Sequence, residues 1–459
     1  MLQFHESEER TLRIYRQAKS RNPIPPEVFQ RYGVKRGLRN ENGTGVLVGM
    51  TEIGEVYSYV LDDIERLPVE GRLYYYGIDV ADLVHGFFEE KRFGFEETAY
   101  LLLFGELPSQ PELEEFSTCL ALHHDLPPNF IEDMILKHPS RDIMNKMARS
   151  VLNLYAHDDA PDDISPDNVF IQCIKLISRF PALAAYGYMA KSHYIDKKSL
   201  FIHAPRVDYS TAENLLYLMR PDGQFTELEA RILDLALVLH ADHGGGNNST
   251  FVTRAVTSTG TDTYSAIAAA LGSLKGPQHG GAAGKAWAMM QDMQKTVKNW
   301  RNEVEIEQYL VNLLDKKAFD RSGLIYGIGH AVYTLSDPRT KLLRDYARQL
   351  AFESGKEEEY EFYLLVERLA PHVFRTYKKR DQAICANVDF YSGFVYSMLG
   401  IPPELFTPVF AVARIAGWSA HRLEELISGG RIMRPAYKNI AQRRRYKPMS
   451  ERDPRVGVE

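Results

Sequence analysis

The 459-residue chain is predicted to be mainly α, with short β-hairpins near the N-terminus, on three observations. Apolar residues recur at i, i+3 and i+4 spacing over several long stretches with few internal breakers. Strand-like text is confined mostly to the front. No self-similarity of 20 to 50 residues points to a solenoid.

Taken in order, residues 44–59 (TGVLVGMTEIGEVYSY) and 71–77 (GRLYYYG) mix β-branched and aromatic side chains with glycine turns, which predicts short strands or hairpins. Helices are expected over 96–104, 143–154, 226–240, 263–274 and 405–427. Thr226 opens one with a capping box, because Glu229 follows three residues later, and Asp262 is a good cap for the helix beginning at Thr263. Joints are expected at Gly276-Pro277, Asp337-Pro338 and Ile401-Pro402-Pro403. The stretch between the first and last of these is more polar and includes the charged run 356–360, which suggests a smaller domain inserted into a larger one.

Apolar residues at 44% and charged residues at 25% match an ordinary globular protein, so disorder, a collagen-like repeat and a coiled-coil rod are excluded. No run of 18 apolar residues exists, and no membrane span is expected. The opening MLQFHESEERTLRIYRQAKS is charged and lacks the apolar region of a secretory signal. Cys119, Cys173 and Cys385 are scattered and form no CxxC pair, which fits a reducing, cytoplasmic compartment rather than a disulfide framework. A net charge of −6 offers no global attraction to nucleic acid or to an acidic membrane. The basic run Arg443, Arg444 and Arg445 is read as a solvated tail. Any anionic ligand must therefore be held by local arginines.

Three histidines lie beside glycine, where backbone can approach a ligand: His243 in HADHGGGNNST, His279 in LKGPQHGGAAGK and His330 in YGIGHAVYTLSDPRT. His279 leads into a small-residue helix over 282–290, whose first amides favour developing negative charge. Arg339 follows the Asp337-Pro338 turn and suits a two-pronged grip on a carboxylate. His240, Asp242 and His243 also raise a metal site, but the i, i+3 spacing and the glycines that follow argue for a helix end facing substrate. Asp389, among apolar and aromatic neighbours in ANVDFYSG, is either a base with a raised pKa or a helix cap. Arg414 interrupts the apolar helix FTPVFAVARIAGW, where a buried guanidinium needs an anionic ligand or a structural carboxylate. Arg434 adds another arginine beyond it. This set suits carbon–carbon bond formation between an enolisable donor and a dicarboxylic keto acid, and equally a lyase run in reverse.

The segments HADHGGGNNST, GPQHGG, GIGHAVYTLSDPR, NVDFYSG and ARIAGWSAHRLEE, in this order, resemble those of citrate synthases, including the signature GHxVxxxxDPR. GRLYYYGIDVADL and FEETAYLLLFGELPSQPEL extend the resemblance over about residues 45 to 435. It implies a mostly helical homodimer with a large domain (1–278 and 392–459) and a small domain (279–391) around an active-site cleft. By motif, His279 would hydrogen-bond the thioester oxygen of acetyl-CoA while Asp389 removes a methyl proton. His330 would polarise the keto carbonyl of oxaloacetate. His243, Asn247, His330, Arg339 and Arg414 would hold oxaloacetate, with Arg434 supplied by the partner subunit and Ser249 orienting His279. Leu324, Ile325, Gly327, Gly329 and Lys275 would meet CoA, and no metal or other cofactor is implied. Gly244 and the GGAAGK after His279 depart from common family residues without removing a catalytic group. Thr334 replaces a frequent phosphate-binding cation, so Lys275, Lys285 or Lys341 must serve. Tyr76 stands at the arginine of a YRG motif. The resemblance admits 2-methylcitrate synthase, which uses propionyl-CoA, or dual use of both thioesters, as alternatives. A citryl-CoA lyase and a non-catalytic relative fit less well.

Overall fold

The computed structural model describes residues 8–12, 24–40, 42–62, 65–329, 332–379 and 383–452. Contacts divide the chain into two compact units, Met1–Val48 with Arg434–Glu459, and Gly49–Met433. In the first unit, a short helix α1 (Pro26–Arg31) starts with proline at its first position, where no amide hydrogen is needed. Arg39 and Gly45 form an isolated antiparallel bridge, beside which Asn40 N–H donates to the Thr44 carbonyl (2.9 Å). Residues 434–448 form no helix or strand and are exposed, including Arg443, Arg444 and Arg445.

The second unit opens with an antiparallel sheet in the order β1 (Gly54–Asp62), β2 (Glu65–Tyr75) and β3 (Ile78–Asp79). Gly54 pairs with Tyr75 and Val56 with Leu73, and an irregularity between Tyr57 and Tyr59 shifts the register. The hairpin is longer at its far end than the sequence suggests and starts later. Residues 46–53 form no strand, and Met50 is 91% exposed, because β-favouring text without a neighbouring strand has no ladder to join.

The helices of this unit are α2 (Val80–Glu89), α3 (Phe95–Phe104), α4 (Gln110–Ala121), α5 (Ile143–Leu154), α6 (Pro166–Tyr194), α7 (Thr211–Met219), α8 (Glu227–His240), α9 (Asn248–Thr257), α10 (Thr263–Leu274), α11 (Ala282–Thr296), α12 (Glu303–Leu314), α13 (Pro338–Glu353), α14 (Glu357–Lys378), α15 (Val388–Met398) and α16 (Phe406–Ile427). The protein is mainly α, as expected. The expected caps form: Thr226 and Glu229 close a capping box on α8, and the Asp262 side chain accepts from Ser265 N–H at the start of α10. Each expected joint is a helix boundary. Residues 276–281 turn between α10 and α11, Pro338 is the first residue of α13, and Pro402 precedes the short turn leading into α16.

Helix α6 has no counterpart in the sequence expectations. It is apolar on all sides, so it shows little 3.6-residue stripe, and it carries Pro181 internally. By length and composition it could cross a membrane, yet 78% of its most apolar window is buried within the protein, which makes it a core helix. Helices α8 and α16 are buried almost as completely. Charged or imidazole side chains on such helices lie deep in the protein, and two of them build the site.

Candidate active site

Arg414 sits midway along α16 with no solvent exposure. Its Nε–H donates to the His240 carbonyl at the end of α8 (2.7 Å), and its guanidinium lies over the Phe410 ring, 4.7 Å from the centroid. Nη1 and Nη2 have no hydrogen-bond partner among the described residues. Burial lowers its pKa to about 10 despite the nearby Asp242, so it remains a cation at neutral pH. Leaving two charged donors unpaired in the interior is costly. An anion brought to them would recover that cost.

The turn after α8 is held against α16. His240 is 1% exposed and its ring lies 4.4 Å from that of Phe410 at a tilt of 39°, with both ring nitrogens unpartnered among the described residues. Burial, helped by Arg339 and Arg414, drives its pKa well down and keeps it neutral. Asp242 accepts from Gly244 N–H (2.7 Å) and pairs with His421 Nε2 (3.1 Å), while Arg254 Nε–H donates to the other nitrogen of His421 (3.1 Å). Arg254 in turn is paired with Glu424 and Glu425. Thus Asp242 is committed to shaping the turn that presents His243, whose ring meets Tyr333 edge-on at 5.7 Å. Gly417 allows the approach of α16, since a Cβ there would lie 2.4 Å from the Ala241 carbonyl. Among the described residues no group of three or more His, Cys, Asp or Glu side chains could hold a metal.

His279 lies in the turn before α11, partly buried, with Nε2 3.0 Å from Ser249 Oγ and its ring edge-on to Phe410 at 6.3 Å. Ser249 is fully buried near the start of α9, receives the Trp418 Nε1–H (3.2 Å) and donates to Asn247 Oδ1 (2.9 Å). Burial and the Arg414 charge lower the pKa of His279 to about 4, so it is a neutral imidazole at pH 7.

Asp389 is the second residue of α15, and the helix cap is Asn387, whose Oδ1 accepts Asp389 N–H (3.0 Å). The carboxylate is thus not spent on capping. Burial raises its pKa to about 6, with Arg339 and Arg414 pulling it down and Asp337 pushing it up. Asp337 grips Arg339 through Nε (3.1 Å) and Nη2 (2.8 Å) and accepts Val388 N–H (3.2 Å), tying α13 to the start of α15. Asp337 holds the Arg339 pKa above its ordinary value although burial opposes the charge. One edge of Arg339 is therefore already engaged. The segment 327–329 is stitched to the same region: Gly329 N–H donates to Cys385 O (2.7 Å), Asn387 N–H to Gly327 O (2.9 Å) and Asn387 Nδ2 to Gly329 O (2.7 Å). Gly327, at φ +78°, touches α15 so closely that a Cβ would lie 2.8 Å from Phe390 Cα.

The structure therefore gathers His240, His279, Phe410, Arg339 and Asp389 around Arg414, each in electrostatic or ring contact with it. His330 lies outside the described residues. Arg434 belongs to the first unit. Of the expected CoA residues, Ile325 is buried and Leu324 is 56% exposed. Lys275 pairs with Asp142 (3.3 Å) and Lys341 with Glu70 (2.8 Å). Lys285 pairs with Asp320 (3.3 Å) and also lies 5.8 Å from the ring of Tyr326, within the Leu324–Gly329 segment. Arg254, Trp418 and His421 are parts of the site that sequence reasoning did not single out, and His240 was weighed there only as a metal ligand. His421 carried the signal already used for Arg414, a polar residue inside an apolar helix, whereas Arg254, on a polar helix, and Trp418 carried none.

A family model described as citrate synthase, C-terminal domain, matches residues 42–436. The chain belongs to the citrate synthase family. It is 35% identical over 389 residues to citrate synthase of Synechocystis sp., covering 83% of this chain and 89% of that one. It is 30% identical over 374 residues to 2-methylcitrate synthase of Shewanella oneidensis, covering 81% and 90%. Its fold is similar to that of Thermoplasma acidophilum citrate synthase, solved as a ternary complex with carboxymethyl coenzyme A and oxaloacetate, with a TM-score of 0.74, 26% identity, and coverage of 91% of this chain and 99% of that one.

Proposed function

We propose that this protein condenses acetyl-CoA with oxaloacetate and hydrolyses the resulting citryl-CoA to citrate and CoA. The observation that carries this is the buried Arg414, with two charged donors unpartnered among the described residues, beside a carboxyl whose pKa is about 6 and a neutral imidazole. A dicarboxylic keto acid supplies the anion, Asp389 the base and His279 the donor to an enolate oxygen.

Asp389, ionised above pH 6, takes a methyl proton from the thioester while His279 hydrogen-bonds the thioester oxygen. A carboxylate of this pKa cannot by itself sustain the enolate, so the donor at oxygen must be in place before the proton leaves. The enolate carbon attacks the keto carbon of oxaloacetate, and His330 protonates the alkoxide that forms. Water then displaces CoA from the thioester. Arg414, Arg339, His243 and Asn247 hold oxaloacetate, with Arg434 of a second copy completing the clasp in a homodimer. The exposure of segment 434–448, which carries Arg434, accords with an exchange of this kind between subunits. Residues 279–391 act as a small domain closing over the rest, which would keep water from the enolate. Leu324, Ile325, Gly327 and Gly329 line the CoA site. Lys285 supports its phosphates better than Lys275 or Lys341, since it lies beside that segment. The three cysteines are free thiols, which accords with a cytoplasmic enzyme.

The relative named 2-methylcitrate synthase favours a second reading, in which propionyl-CoA is the donor. One methylene is worth about 1 to 3 kcal/mol of discrimination, so one site can turn over both thioesters. Release of free thiol from each thioester, with and without oxaloacetate, tests both readings. Oxaloacetate-dependent release establishes the condensation, and the ratio of kcat/KM values assigns the donor. Asp389→Asn should lower kcat by about 10³-fold and leave oxaloacetate binding intact. Turnover unchanged by that substitution would overturn the assignment of the base.

A further inference from the structure

A serine hydroxyl has one hydrogen to give and two lone pairs to receive. Ser249 Oγ has three side-chain neighbours: Trp418 Nε1 at 3.2 Å, Asn247 Oδ1 at 2.9 Å and His279 Nε2 at 3.0 Å. The indole N–H can only donate, so Trp418 permanently fills one lone pair. One lone pair and one hydrogen remain for the other two. Asn247 and His279 must therefore play opposite parts: when one accepts from Ser249, the other donates to it.

In the structure Asn247 turns Oδ1 to Ser249 and takes the hydroxyl hydrogen. His279 must then donate through Nε2–H, and because the imidazole is neutral, Nδ1 is left as a bare lone pair. In that state the ring has no hydrogen to offer a thioester oxygen at Nδ1. Rotating the Asn247 amide by 180° brings Nδ2–H to Ser249, turns the hydroxyl toward His279 Nε2 and moves the imidazole proton to Nδ1. No second side-chain hydrogen bond holds the amide in one orientation among the described residues, and it is only partly buried, so both orientations are open to it. We propose that Asn247 and Trp418 are positioning residues that select the tautomer of His279, the Asn247 amide acting as the selector and the Trp418 N–H making the selection exclusive. The active state has Nδ2 of Asn247 on Ser249 and a proton on Nδ1 of His279.

This rests on the proposed role of His279 at the thioester oxygen, and the two can fail separately. Exchange of acetyl-CoA methyl protons with D2O in the presence of (S)-malate, an unreactive relative of oxaloacetate, reads enolisation alone. If His279→Ala leaves that exchange intact, the role of His279 falls, whatever sets its tautomer. The relay itself is read from the imidazole 15N shifts of His279 in histidine-labelled protein, assigned by their loss in His279→Ala. Asn247→Asp presents only acceptors, so it should hold the proton on Nε2 and lower methyl exchange about 100-fold. Trp418→Phe frees a lone pair on Ser249, so both tautomers should appear together, with exchange down about threefold and the KM for oxaloacetate within twofold. A proton on Nδ1 in Asn247→Asp would overturn the selector. A single Nδ1–H tautomer in Trp418→Phe would remove Trp418 from the assignment. Should the aspartate variant fail to fold, the Trp418→Phe shifts decide alone: mixed tautomers sustain the proposal and a single one overturns it.

Discussion

Two arginines on α16, eight residues apart, are both fully buried and have opposite surroundings. Arg422 donates from Nε to Thr263 Oγ1 (3.1 Å), from Nη1 to Thr257 Oγ1 (3.1 Å) and from Nη2 to the Thr261 carbonyl (2.8 Å). Among the described residues Arg414 has one bond, to the His240 carbonyl, and its Nη1 and Nη2 have no partner. Burial lowers the pKa of each. The difference lies in what the fold supplies to each charge: a full set of oxygens at one, a place for something else at the other. A buried cation alone does not mark a site, whereas a buried cation with unspent donors does.

Replacing each arginine by methionine should split the effects cleanly. Arg414→Met is expected to raise the KM for oxaloacetate at least about 100-fold, since two charge-assisted hydrogen bonds are lost. Its stability to urea should be unchanged or slightly higher, because an unpaired buried charge is removed. Arg422→Met should do the reverse, losing about 2 to 3 kcal/mol in urea unfolding as two threonine hydroxyls and a carbonyl lose their partner. Its kcat/KM should stay within about threefold. Equal kinetic damage from both would break the comparison.

Gly417→Ala, between the two, places a methyl group 2.4 Å from the Ala241 carbonyl and 2.8 Å from Asp242 Oδ1. It should cost about 1 to 3 kcal/mol and raise the KM for oxaloacetate several-fold by shifting the turn that bears His243. The smallest effect is on pH. The kcat/KM should fall as pH drops through about 6, where Asp389 gains its proton. Arg414 helps hold that pKa down, so Arg414→Met should move the acid limb upward, while Arg422→Met should leave it in place. Asp389 has a raised pKa in the folded state, so between about pH 4 and 6 the folded protein binds more protons than the unfolded one. Its contribution to stability is thus lost as pH rises through that window, and Asp389→Asn should flatten this part of the stability profile.

Much of this was legible in the sequence where the signal is local. Helices α5 and α10 run over the expected residues because their apolar spacing and caps agree. Glycine beside His279, a charge among apolar residues at Arg414 and the aromatic setting of Asp389 each pointed to the site. Helix α6 did not, because a helix buried all round has no stripe. Nor did the strandless stretch 46–53, whose β-favouring residues promise pairing that only a neighbour could provide. The Arg254–His421–Asp242 chain and the Trp418–Ser249 bond join residues 167 to 179 positions apart, and nothing in local spacing reports such pairs.

Asn387 uses both ends of its amide, the oxygen on Asp389 N–H and the nitrogen on the Gly329 carbonyl. It is thus a point at which chemical ageing of the chain would reach the reaction centre. Hydrolysis of that one amide to a carboxylate deletes the donor that fastens the glycine segment and sets an anion against a carbonyl. It also adds negative charge two residues from a carboxyl whose pKa already stands at about 6. A single deamidation would loosen the glycine segment 327–329 and shift the Asp389 carboxyl out of its working range together.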